Sequence, residues 1–142
     1  MAVPQQKIRE VVFQLLYGNH WHSPEEEAFH QLLSKEAKVS KKVIIEAQDK
    51  VNLIRERGSE IDELIAQSAE SYEFDRIPSA EKNILRLGVY ELLFDDEIPP
   101  KVAIAEAIRL SRKFSTPESA TFINAVMDEL YKKQCTERVN DE

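Results

Sequence analysis

The sequence is poor in cysteine and glycine, and it contains no long apolar run. Its 142 residues include 3 glycines and a single cysteine, Cys135, so no disulfide can form within the chain and a reducing compartment fits. No apolar run approaches the roughly 20 residues that span a membrane, and the N-terminal residues lack the apolar centre of a secretory signal. We therefore expect a cytoplasmic protein with no membrane partner.

The motifs that usually accompany catalysis are also missing. There is no glycine-rich phosphate loop, no cysteine pair for zinc and no GxSxG segment. The histidines are His20, His22 and His30, and Glu26 lies four residues before His30, a spacing at which two metal ligands could share a helix face. Surface histidines beside acidic residues are the preferred interpretation. We expect no enzyme, no cofactor and no metal site.

The charge of the chain limits its possible partners. The formal net charge is -7 and the pI is about 5.1, which counts against simple nonspecific binding to nucleic acid. Hydrophobic residues make up 42% of the chain, enough for a folded domain with a core. Any RNA-binding role must therefore depend on a local basic patch or on help from a partner.

Helix-capping residues and apolar residues at helical spacing alternate along the whole chain. Helices are predicted to begin near Pro4, Ser23, Ser40, Ser59, Ser79, Lys101 and Ser115. The fifth helix is apolar on nearly all sides, which is typical of a central helix. No segment alternates at period 2 as a strand would.

These patterns predict an all-α fold, a bundle of six to seven helices in two subdomains that share one core. The bundle is expected over residues 1–135, with the break between the subdomains near residues 72–79. Residues 136–142 form a polar tail that we expect to be disordered.

The predicted sixth helix separates basic from apolar residues. Lys101, Arg109 and Arg112 fall within an arc of about 80°, and Lys113 lies just beyond it. The opposite side carries Ala103, Ile104, Ala107, Ile108, Leu110 and Phe114, and Glu106 lies outside the basic arc. Such a face can contact RNA or phosphate. Alternatively, it is a solvated face that pairs with acids on neighbouring helices.

Three further segments supply weaker candidates. Lys7 and Arg9 lie near the start of the first helix, while Phe13 and Tyr17 lie off its main apolar stripe, as peripheral core or as rings for stacking. Phe122 and Asn124 follow the sixth helix closely in sequence. A ring and an amide there could bind bases, or the amide could satisfy backbone groups at the helix junction.

The C-terminal half resembles the NusB family. Residues 79–92 read SAEKNILRLGVYEL and are similar to the family segment ExxILRLAxYEL, and residues 98–108, IPPKVAIAEAI, are similar to IPxKVAINEAI. Lys113-Phe114 and residues 119–128, SATFINAVMD, resemble KxFG and SxxFVNGVLD. Residues 7–17 match RxREAAxQxLY more loosely. The resemblance implies a NusB-like helical bundle.

The resemblance also implies a function in transcription antitermination. Such proteins pair with NusE, a ribosomal protein of the small subunit, and bind single-stranded boxA RNA in nascent ribosomal transcripts. The complex then joins RNA polymerase and other Nus factors. The RNA-binding positions implied are Lys7, Arg9, Tyr17, Lys101, Arg112, Lys113, Phe122 and Asn124. Glu81 matches an acidic position linked to partner and RNA contacts.

The chain departs from the family pattern at several positions. Gln5 and Gln6 stand where family members are often rich in arginine, and Ala105, Ser115 and Ala125 replace an asparagine and two glycines. Fewer basic residues mean fewer phosphate contacts, so dependence on the partner is expected to be strong.

Three other functions remain open. One is a NusB-like RNA-binding domain of the kind attached to some RNA cytosine methyltransferases, although no catalytic domain follows here. Another is a protein-interaction scaffold with little RNA binding of its own. The last is a helical enzyme, which no residue cluster supports. The sequence leaves a homodimer possible.

Overall fold

Seven α-helices make up most of the part of the chain that the structure describes. In a computed structural model, residues 4–18, 23–70 and 72–135 are described, and no strand occurs among them. The helices are α1 (Gln5–Gly18), α2 (Glu26–Ala37), α3 (Lys41–Glu56), α4 (Gly58–Ser68), α5 (Ser79–Leu93), α6 (Pro100–Phe114) and α7 (Pro117–Leu130). The predicted all-α class and helix number are confirmed. His20, His22 and the predicted polar tail lie outside the described residues.

The chain divides into two compact units, Met1–Glu56 and Arg57–Glu142. Helices α1 to α3 make up the first unit, and α4 to α7 make up the second. The break expected near residues 72–79 therefore falls inside the second unit. The physical reason is that α4 packs against both α5 and α7, so residues 69–78 connect helices of one unit.

Helix α3 is the centre of the first unit, where it packs against both α1 and α2. Its apolar seam is buried along its whole length and consists of Ile44, Ala47, Val51 and Ile54. Gly18, the last residue of α1, lies against the ring of Phe29 of α2. A Cβ atom at this position would come within 2.6 Å of the Phe29 Cζ, so any larger residue would have to displace the Phe29 ring.

Helix α5 is the centre of the second unit. It packs against α4, α6 and α7, which explains why its sequence is apolar on nearly all sides. Ile84, Leu85, Leu87 and Val89 are completely buried. The prediction of a central fifth helix is confirmed.

Prolines and one threonine set the bounds of α6 and α7. Pro100 occupies the first turn of α6 and Pro117 that of α7, where a missing N–H costs no hydrogen bond. Thr116 caps α7, because its Oγ1 accepts a hydrogen bond from the Ser119 N–H at 3.1 Å. Two residues, Ser115 and Thr116, thus join the helices that carry most of the candidate site.

Candidate nucleic-acid interface

Helix α6 displays a basic face. Its buried side consists of Ala103, Glu106, Ala107, Leu110 and Ser111, while Ile104 and Ile108 are half-buried at one edge. The exposed side consists of Lys101, Val102, Ala105, Arg112 and Lys113. No carboxylate stands on this exposed side, so the three cations face solvent together.

Arg109 lies within the arc of this basic face, as its position in the sequence predicts, but it is half-buried. Its guanidinium pairs with the carboxylate of Glu106, three residues earlier, and Glu106 is only 6% exposed. The ion pair holds the Arg109 side chain along the helix, so we do not count it among the exposed cations of this face.

An aromatic groove lies beside the start of α7. The ring of Phe122 meets the ring of Tyr72 edge to face, with centroids 5.1 Å apart. Phe122 is half-buried and Tyr72 is exposed. The groove has a volume of about 360 Å³, and Glu70 and Glu118 line it together with the two rings. It offers a π surface with acidic groups at its border.

Asn124 is exposed but does not line the aromatic groove. Residues that are two positions apart in an α-helix are separated by about 200° around its axis. Asn124 and Phe122 therefore point to different sides of α7. The ring and the amide therefore lie on different surfaces of α7, and their contacts with bases stay a prediction.

Glu81 lies inside the second unit rather than on its surface. The residue is 7% exposed, and its Oε1 accepts hydrogen bonds from the Ser115 and Ser119 hydroxyls, the latter at 2.7 Å. These serines follow α6 and begin α7. Within this chain the carboxylate is engaged at the α6–α7 junction, and its link to partner and RNA contacts stays a prediction.

The candidate residues of α1 belong to the first unit. Arg9 is 4% exposed because it shares a face with the buried Val12, Phe13 and Leu16, at helical spacing. Its assignment to an RNA-binding surface stays a prediction for a buried residue, and Lys7 is half-buried. Tyr17 is 51% exposed and stacks on Phe13, with ring centroids 5.6 Å apart.

Tyr72 is the residue that the sequence patterns missed. It follows α4 in a polar segment and has no apolar periodicity to mark it. The one sequence feature that could have marked Tyr72 as a candidate site residue is an aromatic side chain between Glu70 and Glu73, where no core position was expected.

A metal site finds no support in the described part of the chain. Across residues 4–18, 23–70 and 72–135, no group of three or more His, Cys, Asp or Glu is arranged to hold a metal ion. The His30 Nε2 lies 3.9 Å from a Glu26 oxygen and 3.0 Å from the Gln48 Oε1. Within the same ranges, no helix is long and apolar enough to cross a bilayer.

Comparison with known proteins identifies a family. The sequence profile of the NusB family matches residues 6–132. The transcription antitermination protein NusB of Chlamydia pneumoniae is 35% identical over 128 residues, which cover 90% of this chain and 80% of that protein.

Two solved structures have a similar fold. NusB of Thermotoga maritima superposes with a TM-score of 0.77 at 30% identity, with both chains covered completely. A chain in the crystal structure of the antitermination factors NusB and NusE in complex with dsRNA superposes on this chain with a TM-score of 0.74 at 25% identity. That match covers 91% of this chain and 96% of the other.

Proposed function

Since the chain belongs to the NusB family, we propose that it is a transcription antitermination factor that binds RNA together with a ribosomal protein. The relatives carry that name, and one similar structure holds NusB with NusE and RNA. The RNA is a boxA-like single strand in a nascent ribosomal transcript. The partner is NusE of the small subunit, and the assembly joins RNA polymerase and other Nus factors in the cytoplasm.

The basic face of α6 is the observation that carries the RNA-binding proposal. Lys101, Arg112 and Lys113 are exposed on one side of a helix in a chain whose net charge is -7. The acid of this helix, Glu106, is buried and paired with Arg109. A phosphate backbone that follows the exposed side therefore meets cations and no carboxylate of α6.

The aromatic groove supplies a second kind of contact. The exposed Tyr72 ring, supported edge to face by Phe122, is a platform on which an unpaired base stacks. Tyr17, supported by Phe13, is a similar platform in the first unit. Lys7 and Asn124 complete the proposed set as a phosphate contact and an exposed amide.

The partner makes up for the low positive charge of the chain. Arg9 is buried, and Gln5 and Gln6 carry no charge, so few cations remain on α1. NusE binding adds contacts that this chain alone lacks. The role needs no catalysis, and we propose that the protein acts by binding alone.

A protein-interaction scaffold is the second candidate. The net charge of -7 and the acidic border of the aromatic groove favour it, because both repel phosphate. In this function the chain would hold the ribosomal protein and contribute little RNA affinity.

Co-purification separates the two candidates. The tagged chain is isolated under mild salt, and the bound protein and RNA are identified from the same sample. Antitermination predicts the ribosomal protein together with RNA enriched in one leader sequence. Recovery of the protein without enriched RNA would support the scaffold instead.

A further inference from the structure

We propose that Glu81 is a positioning residue that fixes the α6–α7 junction, and that RNA binding depends on it without contact between Glu81 and RNA or partner. The effect on RNA binding presupposes the proposed function. The structural basis is one buried carboxylate and the two serine hydroxyls that donate hydrogen bonds to it.

Both serines bond to the same carboxylate oxygen. The Ser115 and Ser119 hydroxyls donate to the Glu81 Oε1, across 34 and 38 residues of chain. The Ser119 N–H also donates to the Thr116 Oγ1. Ser119 is thus held by its side chain to α5 and by its backbone to the cap of α7. We name Glu81, Ser115 and Ser119 the serine clasp.

Burial makes the clasp energetically important. A buried carboxylate loses much of its hydration, and hydrogen bonds to it offset that cost. Bonds between a hydroxyl and an ionised carboxylate are stronger than those between neutral groups. Removal of both hydroxyls would leave the buried Glu81 carboxylate without these hydrogen bonds, which is unfavourable. We expect the side chain to move towards solvent, and the α6–α7 junction to shift with it.

The clasp lies between the two parts of the proposed RNA site. Arg112 and Lys113 are in the last turn of α6, and Glu118 is in the first turn of α7, followed by Phe122. Only Ser115 and Thr116 connect these helices. Together with the packing of α6 and α7 on each other and on α5, the clasp therefore fixes the direction of α7 relative to α6, and with it the distance from the cations to the aromatic groove.

The clasp contains a donor that the family segment KxFG lacks. Ser115 stands where the similar family segment has glycine, and glycine has no hydroxyl to donate. Its φ is -139°, so the position does not adopt the left-handed conformation that favours glycine. The hydroxyl bond to Glu81 gives a physical role to this departure from the family pattern.

Three variants test the proposal through RNA affinity in the presence of the ribosomal partner. Ser115→Ala/Ser119→Ala removes both donors and should weaken RNA binding by about fivefold or more. Glu81→Ala should do the same. Glu81→Gln keeps an acceptor oxygen for the serines and should stay within about twofold of the unaltered protein. Affinities are measured well below the melting temperature of each variant.

A distance measurement tests the clasp without RNA. Nitroxide labels are attached at Ala105→Cys and Thr121→Cys, exposed positions on α6 and α7, in a Cys135→Ser background. The distance distribution should shift or broaden in the double serine variant and return in Glu81→Gln with both serines present. Failure of the unaltered protein to bind RNA would contradict the proposed function, while this measurement would still decide on the clasp.

The opposite pattern of results would overturn the inference. If Glu81 acts by its charge on a partner, Glu81→Gln loses partner binding while the double serine variant keeps it. An unchanged distance distribution in the double serine variant would equally remove the positioning role.

Discussion

The ring of Tyr72 meets the ring of Phe122 edge to face, with centroids 5.1 Å apart and planes inclined at 71°. The pair joins the segment after α4 to the first half of α7. Phe122 is the less exposed partner, so Tyr72 presents the larger surface to a ligand.

Tyr72→Leu should weaken RNA binding because it removes the ring but keeps an apolar side chain against Phe122. A stacked base contributes about 1–3 kcal/mol, so the dissociation constant should rise about fivefold or more. Fluorescence anisotropy with the ribosomal partner present measures the change. Tyr131→Leu, at another exposed tyrosine, is the matched control and should bind normally. Equal affinities for the two variants would remove Tyr72 from the RNA site.

Glu118→Gln should strengthen RNA binding. The Glu118 carboxylate lines the same groove. A phosphate 4 Å away would be repelled by on the order of 1 kcal/mol in water, so removal of the charge should raise the RNA affinity by up to about fivefold. The gain should shrink as salt is added, since exposed charges are screened. Glu63→Gln on α4 makes the same charge change outside the groove. A similar gain there would point to net charge alone and not to the position of Glu118.

Arg112→Ala should weaken binding to all RNA sequences by a similar factor, because a guanidinium on phosphate does not read bases. The slope of log affinity against log salt should fall by about 0.7 for single-stranded RNA. Titrations at several salt concentrations provide that slope. Lys42→Ala, at an exposed position of α3, removes one positive charge elsewhere. An unchanged slope for Arg112→Ala would exclude the basic face of α6 from the interface.

Leu85→Ala should destabilise the fold by about 2–5 kcal/mol, because it leaves a cavity in a packed core. Leu85 is 0% exposed on α5, which packs against three other helices of its unit. Leu53→Ala on α3, where leucine is 47% exposed, makes the same change at the surface and should cost far less. Chemical denaturation of both variants gives the comparison. Equal losses would mean that α5 is not central.

The helices could be predicted from the sequence because their signals are local. Pro100, Thr116 and Pro117 mark helix starts whatever packs nearby, and the apolar run around Leu85 needs burial on several sides. The two faces of α6 could be predicted in the same way, because a projection at about 100° per residue places its basic and apolar residues on different sides of the helix.

The roles of individual charged residues could not be predicted in the same way. Arg9 and Glu81 carry full charges that normally mark a surface, yet both are buried. The burial of Glu81 depends on serines 34 and 38 residues later in the chain, which no local pattern connects. Arg109 lies three residues after Glu106, a spacing that permits pairing, but only packing decides that the acid is buried.

The proposed partnership with the ribosomal protein is most directly tested by one titration. Labelled boxA-like single-stranded RNA is titrated with the chain alone and with the chain plus NusE, at the same salt concentration. The partner should raise RNA affinity by at least about tenfold, or about 1.4 kcal/mol of coupling, because the chain alone has net charge -7. Equal affinity with and without the partner, or no RNA binding in either case, would contradict this function.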